Sequence, residues 1–162
     1  MYSGSLAWLL SNRPEIGNLF NIAELNLIEK LKLSNREIKR LFYRVYLTEE
    51  ESAFLDPHFA SILKAEIMHD LPSKRKDLYL IFLNKKKILT WQNSFLKELL
   101  LYIFTHELVH IVRFIRYESN FYTEKKWEEE KKVHEITKWI LKDFYFLPGL
   151  KEIFNYFDKV YT

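Results

Sequence analysis

The chain has no cysteine, and only 3 glycines and 4 prolines among its 162 residues. Without cysteine, disulfides, thiolate-ligated zinc, iron–sulfur clusters and thiol catalysis are excluded. Any metal site must then be built from His, Asp and Glu. So little glycine and proline argues against a turn-rich β-sandwich or barrel. Internal repeats, low-complexity tracts and Gly/Ser linkers are also missing, so residues 1–162 read as a single domain. A long uncharged apolar run is lacking too. The longest apolar stretch, 96–115, contains Lys97, Glu98, His106, Glu107, His110 and Arg113, which argues against a membrane helix. The opening MYSGSLAWLL has no positive region ahead of a short apolar run, which argues against a secretory signal. A one-sided charge is absent as well: the net charge is +3, spread over interspersed Lys and Glu. The short basic runs Lys74-Arg75-Lys76 and Lys85-Lys86-Lys87 read as solvated turns, so no nucleic-acid partner is expected. These absences lead to the expectation of a soluble, cytoplasmic protein with no membrane partner. They say nothing of its oligomeric state.

What is present is apolar and aromatic. Hydrophobic residues make up 48% of the chain, including 4 Trp, 10 Tyr and 13 Phe, too much apolar surface to stay disordered in water. The pattern predicts an α+β fold, predominantly helical, with a small antiparallel sheet just before one long helix. Apolar positions at helical spacing run over 18–33, and Ser34 with Glu37 forms a capping box opening a helix to about Leu47. A short helix over 48–55 would stop at Asp56-Pro57. Residues 1–75 are thus read as a helical N-terminal part. Leu78 to Leu83 reads as a buried strand, 84–87 as a hairpin turn and 88–91 as its partner strand; 62–68 fits either a strand or a helix. Helices follow from Asn93 or Ser94 to about Tyr117, from Thr123 to about Phe146, and, after Pro148-Gly149, from Leu150 to Tyr161.

The helix beginning near residue 94 is apolar nearly all round and so must be buried. It nevertheless carries a polar stripe, Tyr102, His106, His110, Arg113 and Tyr117, at steps of three and four. A buried stripe of this kind is costly unless partners satisfy it. Within it lies Thr105-His106-Glu107-Leu108-Val109-His110, an HExxH sequence. Two imidazoles one turn apart can aim their nitrogens at one ion. Glu107, about 100° round the helix from His106, lies beside that ion without binding it and can take a proton from a water there. Zinc needs a third protein ligand, with water in the fourth place. The next helix offers Glu130, which shares a face with His134, Thr137 and Leu141. Glu129, which shares a face with Val133, Ile136 and Ile140, competes with it. His134 competes as well, either as a third imidazole ligand or as a group that orients the catalytic centre. Glu128 is read as pointing to solvent.

This arrangement resembles the gluzincin class of zinc metallopeptidases. In thermolysin-like members the third ligand is a Glu on the helix after HExxH, and Glu130 follows His110 by twenty residues. The order of strands, HExxH helix and acidic helix is also similar to minimal gluzincins and to the small repressor-cleaving metallopeptidases of bacteria. The resemblance covers 78–141. Where thermolysin-like enzymes carry an Asp four residues after the ligand Glu, this chain has His134. Arg113 and Arg116 stand where the extended metzincin pattern has Gly and His. The absence of cysteine separates the chain from peptide deformylases and from the zinc ribbon of SprT-like proteases.

The resemblance implies a zincin-like domain that hydrolyses peptide or protein substrates, with zinc on His106, His110 and Glu130 and with Glu107 as general base. His134, Tyr117, Tyr122 and Arg113 are candidate donors to the oxygen that gains charge, His134 foremost. It also implies that strand 78–83 or 88–91 is the sheet edge that pairs with an extended substrate. Two readings from other classes compete. One is a catalytically silent zinc-binding protein acting as an interaction module; the other is a metal-free helical scaffold.

Overall fold

The structure, a computed structural model, describes residues 13–48, 59–67, 76–91, 95–120 and 124–162. Helix α1, Pro14–Lys30, starts on a proline, whose missing N–H costs nothing at that position. Its buried residues Ile16, Phe20, Ala23 and Leu27 recur every three or four residues and form the apolar stripe the sequence predicts. Ser34 caps the next helix, α2 (Asn35–Arg40), its hydroxyl accepting from the Glu37 amide at 3.2 Å.

There the structure departs from expectation. The helix opened by the capping box ends at Arg40 rather than Leu47, and Tyr43–Thr48 is a strand, β1. Its residues are Tyr, Arg, Val, Tyr, Leu and Thr, mostly aromatic or β-branched, and such side chains lie more easily on a pleated sheet than on a helix. The 48–55 helix falls outside the described residues except for Thr48, which ends β1. The 62–68 ambiguity resolves as a strand, β2 (Ala60–Ile67), and the third strand, β3, is Lys76–Asn84. The segment before residue 76, expected to be helical, therefore supplies two of the three strands as well as α1 and α2.

The sheet order is β1-β3-β2, with β1 parallel and β2 antiparallel to β3, so it is mixed rather than antiparallel. Residues 88–91 are not a strand. The Asn84 side chain accepts from the Lys87 amide at 3.1 Å and starts a short helix, α3 (Lys85–Leu89), where a hairpin was expected. Strand 78–83 is the middle of the sheet, with partners on both sides, so it cannot be a free edge.

Tyr79, Ile81 and Leu83 alternate inward from β3, beside Val45 of β1. They face α4, Leu96–Ile115, the axis of the molecule. Around α4 stand the sheet, α1, α5 (Lys126–Leu141) and α6 (Leu150–Val160), which explains why α4 is apolar nearly all round. Phe20 of α1 stacks on Phe104 of α4, with centroids 4.4 Å apart. Asn26 donates to the Ile140 carbonyl at 2.8 Å and so ties α1 to α5. A single 3₁₀ turn, Lys142–Phe144, follows α5, and the Pro148-Gly149 break leads into α6. A Cβ at Gly149 would collide with the Phe95 ring, so the close approach of the α6 start to the α4 start requires glycine. The cap positions predicted at Asn93, Ser94 and Thr123 lie outside the described residues. The fold class is α+β and mostly helical, as expected. Among the described residues no helix is long and apolar enough to cross a membrane.

Candidate metal centre

α4 carries the polar stripe into the interior. His106 and His110, one turn apart, are 4% and 8% exposed, and their ring centroids lie 5.0 Å apart. Glu130, in the second turn of α5, reaches across to both. His106 Nε2 lies 2.9 Å from Glu130 Oε2, and His110 Nε2 lies 3.1 Å from Glu130 Oε1. One ligand atom from each of the three residues falls within 4.8 Å of the other two.

The donor chemistry suits a divalent cation. Tetrahedral zinc with bonds of about 2.0–2.1 Å separates its ligand atoms by roughly 3.3–3.4 Å, a few tenths more than the gaps found here. Both rings turn the same nitrogen, Nε2, towards the carboxylate, one to each oxygen.

Charge points the same way. Burial pushes His106 down to about 4, despite the Glu130 carboxylate beside it. Burial also opposes the charged form of His110, but Glu130, with Glu107 and Glu129 near, outweighs it and raises that ring. Burial would raise Glu130 too, yet the two imidazoles hold it well below the usual carboxylate range. Glu107, 8% exposed, is pushed up to about 7, chiefly by burial and further by Glu130, with His110 opposing. Two carboxylates and two imidazoles thus share a largely buried site, and among the described residues no Lys or Arg pairs with Glu107 or Glu130. A divalent ion would balance Glu107 and Glu130 together.

A cleft of about 20 Å³ opens beside His106 and Glu107, enclosed by Phe59 and Ala60 at the start of β2 and by Phe157, Val160 and Tyr161 of the last helix and its end. It has room for one water, and Tyr102 and Tyr161 join His106 and Glu107 among the polar residues of its lining.

The other acids of α5 go elsewhere. Arg113 grips Glu129 with two guanidinium nitrogens, Nε on one carboxylate oxygen and Nη2 on the other at 3.2 Å, and Nη1 holds Glu118 at 3.0 Å. Glu129 therefore already has its cation, and Arg113 is committed to it rather than to the cleft. Glu128 is exposed. His134, 2% exposed, stands a layer behind the cleft with both nitrogens engaged: Nδ1 lies 2.5 Å from the Tyr102 hydroxyl and Nε2 lies 2.7 Å from Asp158 Oδ1. With both nitrogens taken, it fits the orienting role expected for it better than that of a ligand or of a donor to substrate. His134, Glu135 and Asp158 also form a metal-like cluster, but the Lys138 ammonium, 2.8 Å from Asp158 Oδ1, already supplies its positive charge. Tyr117 is 81% exposed, at the far end of α4 beneath the Arg40 guanidinium. Tyr122 lies outside the described residues.

Three residues at or behind the site escape a reading of the sequence as donors or partners. Tyr161 stacks on His106 with centroids 5.8 Å apart and planes 8° apart. Burial raises its phenol above the usual range, as do the nearby carboxylates of Glu130 and Glu107. Tyr102 stands out only as a member of the polar stripe, and nothing local marks Asp158. Tyr161 continues the apolar spacing of Ile153 and Phe157, so only tertiary packing separates it from an ordinary core residue. Comparison with protein-family models, with curated proteins and with solved structures finds no match to this chain.

Proposed function

We propose that the chain is a zinc-dependent metallopeptidase. The observation that carries this is the Glu130 carboxylate set between the Nε2 atoms of His106 and His110, with buried Glu107 beside a water-sized cleft. His106, His110 and Glu130 would hold the ion. A zinc ion there would lower the pKa of a water towards 7 and polarise a carbonyl oxygen. Glu107, raised to about 7, is suited to take a proton from a water in the cleft and return it to the departing amine near neutral pH. Tyr161, with its phenol against the Glu130 carboxylate and its ring over His106, is the hydroxyl best placed to donate to an oxygen that gains charge.

The substrate is an extended peptide. β2 is the edge strand whose first residue borders the cleft, and no described strand pairs with its outer side. A cleft of about 20 Å³ admits a water but not a peptide bond, so side chains of its wall must give way for a substrate to enter.

The second reading, a catalytically silent zinc-binding interaction module, is favoured by the small size of that cleft, which leaves no room for a peptide beside the histidines. One experiment separates the two. Zinc-loaded wild type and Glu107→Gln are incubated with a peptide library, and products are read by mass spectrometry. The hydrolase reading expects cleavage by wild type, a loss of about 10²-fold or more in the variant, and equal zinc content in both. Tight zinc with no cleavage by wild type favours the silent module.

A further inference from the structure

A line of buried polar groups leaves the site from the rear. His106 Nδ1, the nitrogen turned away from Glu130, lies 3.4 Å from the Tyr102 hydroxyl. The same hydroxyl lies 2.5 Å from His134 Nδ1, and His134 Nε2 lies 2.7 Å from Asp158 Oδ1. Lys138 donates to that oxygen at 2.8 Å. The line runs from α4 through α5 to α6, and from a fully enclosed ring to a carboxylate whose side chain is 40% exposed.

From Asp158 to Tyr102 its hydrogen bonds run in one direction when the His134 ring carries a single proton. Asp158 has no proton to give: burial raises its carboxyl, but Lys138 and His134 together lower it, so it accepts. His134 must then carry its proton on Nε2, which leaves Nδ1 as an acceptor. Tyr102 donates to that Nδ1, and the contact is the short one. The Tyr102 oxygen then turns a lone pair towards His106, across the longer gap. The favourable partner for that lone pair is an N–H at His106 Nδ1. In the metal-free ring the Glu130 carboxylate, 2.9 Å from Nε2, calls for the proton on Nε2 instead, whereas a cation bound to Nε2 leaves the proton on Nδ1, facing Tyr102.

We propose that Asp158 is a positioning residue for the metal centre. Acting through His134 and Tyr102, it favours the Nδ1–H tautomer of His106 against the pull of Glu130 and so makes Nε2 readier to bind a divalent cation. This rests on the reading of His106 as a metal ligand. It also makes the docking of α6 a condition of that readiness, because the charge that sets the direction sits on α6.

The test uses the full chain and four variants: Asp158→Ala, Asp158→Glu, Tyr102→Phe, and Asp158→Ala with Tyr102→Phe. Zinc affinity is measured by competition with a chromophoric chelator at neutral pH. Asp158→Ala and Tyr102→Phe should each weaken zinc binding about 10- to 100-fold, the usual effect of losing a group that orients a ligand. The double variant should be no weaker than the weaker single one, because both break one line. Asp158→Glu should restore part of the affinity, which a packing role would not predict. Affinity within twofold of wild type in Asp158→Ala, or losses that multiply in the double variant, would overturn the proposal. If wild type binds no zinc, the functional reading fails but the line is still decided by ¹⁵N NMR of the imidazoles in the metal-free protein. The expected result is a His134 proton on Nε2 in wild type and loss of that preference in Asp158→Ala. An unchanged tautomer would refute the line.

Discussion

Glu129 and Glu130 are neighbours in sequence and meet opposite surroundings. Glu129 faces Arg113, whose guanidinium is charged at every accessible pH and engages both carboxylate oxygens. Glu130 faces two imidazoles, one of which burial holds down to about 4, so it has no permanent cation. The first arrangement is complete as it stands and ties α4 to α5. The second depends on imidazoles that gain and lose their charge, in a largely buried place, and its donor set could take up either a proton or a metal ion.

Removing the permanent cation sharpens this contrast most. Arg113→Met strands a mostly buried Glu129 and should cost about 3–5 kcal/mol in urea unfolding; Arg113→Met with Glu129→Leu should recover most of the loss. If the single substitution is nearly neutral, Glu129 is not held as the contrast requires.

The next effect is pH-dependent. In the metal-free protein Glu107 is raised from 4.5 to about 7, so between those values the folded state binds more protons than the unfolded state. Stability contributed by this group is present at low pH and is lost as pH rises through about 7. The whole loss is roughly 3.5 kcal/mol at most, taking about 1.4 kcal/mol per pKa unit. Unfolding in chelator at pH 5 and pH 8 should show a steeper decline for wild type than for Glu107→Gln. Parallel slopes would remove Glu107 from the buried charge balance.

Zinc itself gives the smallest shift. At a free concentration 100-fold above Kd it should add about 2.7 kcal/mol, or roughly 5–10 °C in Tm for a chain of this size. Glu130→Gln should abolish that gain and Glu129→Gln should keep it. Equal responses from the two variants would erase the distinction between the neighbouring acids.

The sequence makes some of this legible because some of it is local. HExxH spacing is a property of one helix turn, and α4's all-round apolarity tells that the turn is buried. The Glu129 and Glu130 ambiguity could not be resolved from periodicity. Both acids border the inward face of α5, and the deciding partner, Arg113, sits on another helix. Asp158 and Tyr161 were invisible as partners for the same reason, since their roles depend on how α6 packs. In the fold, the capping box at Ser34 correctly starts a helix but says nothing of its length. The aromatic and β-branched run 43–48 and its parallel pairing with β3, fixed by Val45 opposite Ile81, override the continuation. The Asn84 cap is a one-residue signal hidden inside what reads as a hairpin turn.

The most direct measurement is the zinc K-edge absorption spectrum of the chain after equilibration with one equivalent of zinc and gel filtration. The account predicts one retained zinc per chain, with nitrogen and oxygen ligands at about 2.0–2.1 Å and the outer-shell signature of two imidazoles. That signature should be absent in His106→Ala with His110→Ala. Loss of the zinc from wild type on the column, or a spectrum of hydrated zinc unchanged by removing both histidines, would contradict it.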